Sequence, residues 1–193
     1  LECYKTALEV REDSFPYYRQ GEVYFKLEIF ELAANAYKTC IEIDPAIEPA
    51  YTRLAEIASF SENFEEEARY LLSVLEIAPV SVNIEYLVSI LDEEGLKKLL
   101  TTILSLPKSE NEIWKLDAQA YVYGALGEQQ LEQEKVHAAL QLNPDLSELL
   151  HHQAKIFIKN KKWKKARSIL TLLLTKDSEN VELYRTLISY SVE

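Results

Sequence analysis

The residues whose types could support chemistry are poorly grouped. Glu65, Glu66 and Glu67 offer three carboxylates in a row, but neighbours on a helix point roughly 100 degrees apart. Acid–base catalysis needs two carboxylates held at a set separation in a dry cleft. The trio therefore reads as a solvated face. His151 and His152 are adjacent and fail for the same reason, since ligands to one metal on a helix sit three or four residues apart. Cys40 has no base at helical spacing to activate its thiol and reads as packing, while Cys3 lies near the chain end. The Gly21, Gly95, Gly124 and Gly127 spacings form neither a phosphate loop nor a dinucleotide fingerprint. No cofactor or metal is expected, and no catalytic residue.

One basic element stands out. Lys159-Asn-Lys-Lys-Trp-Lys-Lys165, with Lys155 and Arg167, places seven cations in a stretch without an acid. Three readings apply: lysines that solvate a turn, contact with an acidic protein segment, and contact with phosphates. The first is preferred, because Trp163 has a structural slot described below. Nucleic acid ranks last, since one patch supplies few phosphate contacts and the chain as a whole carries a net charge of −11. That excess is uneven: residues 1–100 hold 9 Lys and Arg against 20 Asp and Glu, whereas residues 101–193 hold 12 against 12.

The elements behind these residues follow from composition and period. In 193 residues, 48% of them apolar, there are only four glycines and six prolines, too few for a turn-rich sheet protein and suited to long helices. Apolar runs are too short for a membrane span. Two cysteines build no disulfide framework, which favours a reducing, cytoplasmic setting. A chain that starts with Leu and lacks methionine reads as part of a longer protein.

The sequence also repeats. Pro45 and Pro79 are 34 residues apart, and the same offset relates Tyr17 to Tyr51, Gly21 to Ala55, Phe30 to Phe64 and Cys40 to Val74. In the second half it relates Ala120 to Ala154, Tyr123 to Phe157 and Val136 to Leu170. From Ala55 to Ala120 the distance is 65, two periods less three residues. Within each period, apolar residues recur at helical spacing in two blocks, and a proline or Asx-Pro pair stops the second. Each unit is thus a helical hairpin with a small residue at the Gly21, Ala55, Ala120 and Ala154 slot and an aromatic at Phe30, Phe64 and Trp163. The pattern predicts a lone helix over 1–11, hairpins over 14–43, 48–77, 81–106, 111–142 and 147–176, and a last helix from 180. The unit over 80–112 is shortened and irregular, which makes it either a degenerate repeat or a hinge.

The endings Ala-Leu-Glu-Val (7–10), Cys-Ile-Glu-Ile-Asp-Pro (40–45), Val-Leu-Glu-Ile-Ala-Pro (74–79) and Ala-Leu-Gln-Leu-Asn-Pro (139–144) resemble the second-helix ending of the tetratricopeptide repeat. That resemblance spans the whole chain. It implies an all-α, right-handed superhelix, or solenoid, of antiparallel hairpins, a single array over 1–193 of about five and a half repeats. It also implies a non-enzymatic protein-interaction scaffold or adaptor, whose concave groove is lined by the first helix of each hairpin. By motif position the groove residues are Phe15, Tyr18, Glu22 and Phe25; Thr52, Glu56 and Ser59; Trp114, Asp117 and Tyr121; and Glu148, His151, Lys155 and Ile158.

Tyr18, Phe25, Trp114 and Tyr121 are the expected anchors, unless such rings merely cover the hairpin interior. Glu22, Glu56 and Asp117 would select a partner peptide or helix with apolar and basic residues. The chaperone-binding members of the family hold a C-terminal carboxylate through Lys and Asn; here Tyr18, Glu22, Thr52 and Glu56 stand at those positions, so that specificity does not carry over. A regulatory or substrate-presenting array joined to a catalytic domain outside this segment is the alternative. Tyr184, Leu187 and Ile188 on the last helix leave an apolar face for further repeats or self-association. A circular dichroism spectrum should be dominated by helix, far above the usual third of residues; a strand-dominated spectrum would refute the hairpin reading.

Overall fold

The computed structural model describes residues 14–106 and 112–189; the helix expected over 1–11, Cys3 and Pro107 lie outside them. Every regular element among the described residues is helical. In chain order these are α1 (Ser14–Lys26), α2 (Phe30–Ile43), α3 (Glu48–Phe60), α4 (Phe64–Ile77) and, after a 3-10 turn at Pro79–Ser81, α5 (Ile84–Ile90). Then follow α6 (Glu93–Ser105), α7 (Glu112–Ala125), α8 (Gln129–Leu142), α9 (Ser147–Lys159), α10 (Trp163–Lys176) and α11 (Val181–Ser189). They form two compact units, divided between Asp92 and Glu93, a boundary that falls inside the shortened repeat. Within the first unit each of α1 to α5 packs on the next, and within the second each of α6 to α11 does the same. No helix among the described residues is long and apolar enough to cross a membrane.

The core is built from repeat-equivalent positions. Gly21, Ala55, Ala120 and Ala154 are all buried, as are Cys40, Val74, Ala139 and Leu173 on the partner helices. At Gly21 the small residue is required. A Cβ there would stand 2.5 Å from the ring of Tyr37, a side chain with no solvent exposure. Around this contact cluster Ala33, Cys40, Ala50, Leu54, Ala55 and Tyr70, each large apolar member contributing on the order of 1.5–3 kcal/mol.

The turn inside each complete hairpin also repeats. Glu28, Glu62, Gly127 and Lys161 have φ of 59°, 54°, 82° and 56°, and they lie 34, 65 and 34 residues apart. A left-handed residue reverses the chain at each site, yet only one of the four is glycine, the residue that adopts this conformation without cost. Between hairpins the reversal is made by short polar side chains. Asp44 Oδ1 accepts from Ala46 N at 3.0 Å, Asn143 Oδ1 from Asp145 N at 3.3 Å and Asp177 Oδ1 from Glu179 N at 3.3 Å.

Two positions depart from the apolar pattern. Glu67, expected on a solvated face, is only 4% exposed. Its Oε1 accepts a 2.7 Å hydrogen bond from the Tyr86 hydroxyl of α5, tying α4 to the next helix. Glu132, at the equivalent position 65 residues later, is similarly buried and lies against Gly124, where a Cβ would strike its carboxylate. Alanine occupies this register at Ala33 and Ala166, both fully buried. Among the aromatic slots, Phe30 and Trp163 are half-buried but Phe64 is 50% exposed.

Urea unfolding should separate the two kinds of glycine. Gly127→Ala, with nothing near its added Cβ, should lose about 1 kcal/mol from backbone strain alone. Gly21→Ala gains about 1 kcal/mol of helix propensity but must displace the Tyr37 ring at about 1–3 kcal/mol. A Gly21→Ala variant more stable than the parent would show that the close approach is not required.

Candidate functional site

In the first unit the expected groove residues lie on α1 and α3, and the structure brings several of them to one ion network. Arg53, which the motif positions did not single out, is its centre. Its Nε donates to Glu22 Oε1 at 2.8 Å, and its Nη1 donates to Glu56 Oε2 at 2.7 Å. The Tyr37 hydroxyl donates to the same Glu22 oxygen at 2.7 Å. Burial pushes the Glu22 carboxyl upward, but the hydrogen bonds from Arg53 and Tyr37 outweigh it and hold it below the usual carboxylate value. The same carboxylate raises the Tyr37 hydroxyl, which burial already pushes up. Glu22 and Glu56 are therefore engaged with Arg53 and are not free to select a ligand cation, although two carboxylates against one guanidinium leave the network negative.

The aromatic residues of this face are likewise partly internal. Tyr18 is half-buried, its ring 5.8 Å from that of Tyr37. Phe25 packs 5.6 Å from Phe30 and 6.2 Å from Phe60, with the Arg53 guanidinium 4.7 Å above it. Thr52 donates to Glu48 at 2.8 Å. Phe15 is 60% exposed and Phe60 62%, so the open apolar surface lies at both ends of the network.

In the second unit α7 and α9 carry the expected groove residues. Asp117 Oδ1 is 2.6 Å from His152 Nδ1, and Tyr121 stacks on the same imidazole at 3.8 Å with an 18° interplanar angle. His152 is 3% exposed. Asp117 and Tyr121, expected as ligand-selecting acid and anchor, thus hold a buried histidine whose role the sequence did not reveal. His151 Nε2 lies 3.1 Å from Thr186 Oγ1. The Asp117–His152 and His151–Thr186 contacts each join residues 35 apart, one more than the period, so a first helix reaches its counterpart in the next hairpin. Trp114 is half-buried. Lys155 lines an open cleft of about 430 Å³ with Ile158, Lys159, Arg185 and Thr186. No group of three or more His, Cys, Asp or Glu side chains placed to hold a metal ion exists among the described residues.

Residues 16–47 match the family model of the tetratricopeptide repeat. Solved structures repeat the architecture. A thermophilic TPR protein from Thermus thermophilus superposes with a TM-score of 0.60 at 15% identity, covering 93% of this chain and 100% of that one. YrrB, described as a TPR protein with an unusual peptide-binding site, gives 0.52 at 15% identity over 94% of this chain and 95% of its own. PilW, a type IV pilus biogenesis factor, gives 0.57 at 12% identity over 92% and 87%. No curated protein matches the chain at a significant level. The chain carries the tetratricopeptide repeat, and its helical hairpins have the fold of that family's arrays.

Arg53→Met should destabilise the first unit by about 1–3 kcal/mol at neutral pH, because part-buried Glu22 loses its charged donor and keeps only the Tyr37 hydroxyl. The sign with pH follows from the lowered Glu22 carboxyl. Its contribution is complete above the unfolded carboxylate range and is lost as pH falls through the folded value. Thermal melts at descending pH should therefore show the gap between parent and Arg53→Met narrowing in acid. A gap of constant size would show that Arg53 acts through something other than the ionised carboxylate.

Proposed function

We propose that this chain is a non-enzymatic interaction module that binds an extended or helical segment of a partner protein across the first helices of its hairpins. The observation that carries this reading is the α1 and α3 face. Half-buried Tyr18 and Phe25 and exposed Phe15 surround a network that remains negative after Arg53 is counted. Rigid rings with little rotamer freedom to lose are efficient contacts, and the residual charge favours a segment carrying Lys or Arg among apolar residues. In the second unit half-buried Trp114 offers a further ring. The peptide-binding description of YrrB, which shares the fold, supports the same use of this architecture.

A secondary surface is offered by α11, where Val181 is 61% and Ile188 60% exposed; it supports self-association through that helix, read as concentration-dependent mass in light scattering. The free, buried thiol of Cys40 is in keeping with a reducing, cytoplasmic setting.

The test is fluorescence anisotropy of the full chain with a labelled peptide of Lys, Leu and Phe, at low and high salt. Binding should weaken with salt, as it does for partly exposed charge pairs. Tyr18→Ala should cost about 1–3 kcal/mol of affinity while leaving the helical spectrum intact. Equal binding by parent and a folded Tyr18→Ala, Phe15→Ala double variant would place the contact elsewhere.

A further inference from the structure

The turns inside the complete hairpins share one backbone shape, but both turns of the first unit are acidic and that between α9 and α10 is basic. Glu28 and Glu62 hold the left-handed position in the first unit and Lys161 holds it in the second. Three residues further on stand Glu31, Glu65 and Lys164. All six side chains are exposed, and none forms an ion pair among the described residues. No basic residue lies between Lys26 and Lys38 or between Arg53 and Arg69, and no acidic one between Glu148 and Asp177. The acidic turns flank exposed rings. Phe30, which opens α2, lies 5.1 Å from Phe60 at the end of α3, and both rings pack on Phe25, so the ring cluster joins one turn to the next. Leu27 is 63% and Phe60 62% exposed, and Ile29 and Phe64 are exposed as well. A single exposed leucine or phenylalanine is ordinary, but a run of them across adjoining turns is a surface that a partner covers.

The basic turn is unfavourable where it stands. Lys164 and Lys165 lie in the first turn of α10, which holds no acid, and Lys162 at the N-cap makes no capping hydrogen bond. A helix N-terminus is the positive end of the dipole, so cations there are disfavoured within the chain itself. Glu31 and Glu65 sit at the equivalent helix starts, where the dipole favours them. Lys165 gains the ring of Phe157 at 5.6 Å, whereas Lys161, Lys162 and Lys164 form no ion pair among the described residues that would offset the dipole.

We propose that a second copy of this chain covers the ring patch, setting its own basic turn, with Lys161, Trp163 and Lys164, on the acidic turns of the first unit. Such self-association is separate from segment binding on the first helices and does not rest on it. Charge selects the occupant. Residues 1–100 carry 20 acids against 9 bases, whereas residues 101–193 are balanced at 12 and 12. First units therefore repel one another, basic turns repel one another, and the attractive pairing sets a second unit on a first. Glu28 with Glu31 and Lys161 with Lys164 stand at the same spacing on turns of the same backbone shape, so opposite charges meet in register. Half-buried Trp163 brings an aromatic ring to an aromatic patch, the residue type enriched where interfaces form. The contact joins unlike surfaces. It closes as a pair when each copy gives both, and otherwise propagates as a chain of copies.

The test is sedimentation equilibrium of the full chain over a wide range of concentration, where mass should rise with concentration. A Lys161→Glu, Lys164→Glu variant should associate at least about tenfold more weakly, the scale of turning attraction into repulsion across an interface. A fourfold Glu28→Lys, Glu31→Lys, Glu62→Lys, Glu65→Lys variant should lose association to a similar extent. Mixed together, the two variants should associate again, because one then carries acid at both surfaces and the other carries base at both. Recovery in the mixture is a result that misfolding cannot produce. Phe60→Ser should weaken association of the parent, and Tyr18→Ala, which acts on segment binding, should leave the mass unchanged, so failure of one reading leaves the other standing. A parent that stays monomeric at every concentration, or a mixture that does, would overturn the proposal. Undiminished association of the folded charge variants, with loss in Ile188→Ser instead, would move the contact to α11. A monomeric chain that binds a labelled peptide of Lys and Trp in a Phe60-dependent way would give the patch to another protein and overturn the second copy as its occupant.

Discussion

The structure depends on how closely the two helices of each hairpin approach at one slot. Where Gly21 faces Tyr37, the ring occupies the volume a Cβ would need, so backbone and aromatic are in direct contact. Alanine fills the same slot at Ala55, Ala120 and Ala154, all buried, against smaller or more adaptable neighbours. Close packing of this kind sets the helix separation, and interiors at crystal-like density transmit that separation to every residue on either side. The turn of each complete hairpin carries a left-handed residue. A tight approach leaves only a short connection, and Glu28, Glu62 and Lys161 accept φ values that glycine would adopt freely.

Polar side chains then join one hairpin to the next. Glu22 to Arg53, Glu67 to Tyr86, Asp117 to His152 and Lys159 to Glu132 all cross between hairpins. Each bond satisfies a group that burial would otherwise penalise. Many polar residues of the first helices are therefore committed to architecture. Charges committed in this way still add up locally. In the first unit the net result is negative; in the second it is a cationic cleft.

Motif position alone treats the groove as one aromatic and acidic surface. Its helices do carry Phe15, Tyr18, Phe25, Trp114 and Tyr121, but the rings differ in occupation. Tyr121 is stacked on an imidazole and Phe25 lies beneath a guanidinium, whereas more than half of the Phe15 surface is exposed. Acidic Asp117 and Glu56 have imidazole and guanidinium partners.

Sequence alone determined the hairpins, their period and their turns. The 34-residue offsets, the small-residue slot and the Asx stops at Asp44 and Asn143 are local or strictly periodic signals, and steric rules translate them directly into helix ends and close contacts. Arg53 lies three residues before Glu56, which is visible as a helical pair, but its bond to Glu22 spans 31 residues and depends on how two hairpins stack. The same holds for His152 and Asp117, and for Arg185 beside Lys155 and Lys159. Whether a periodic carboxylate such as Glu67 is solvated or buried likewise depends on which neighbour covers it. These relations lie between elements, where side-chain direction and stacking angle decide the partner, and only tertiary structure specifies both.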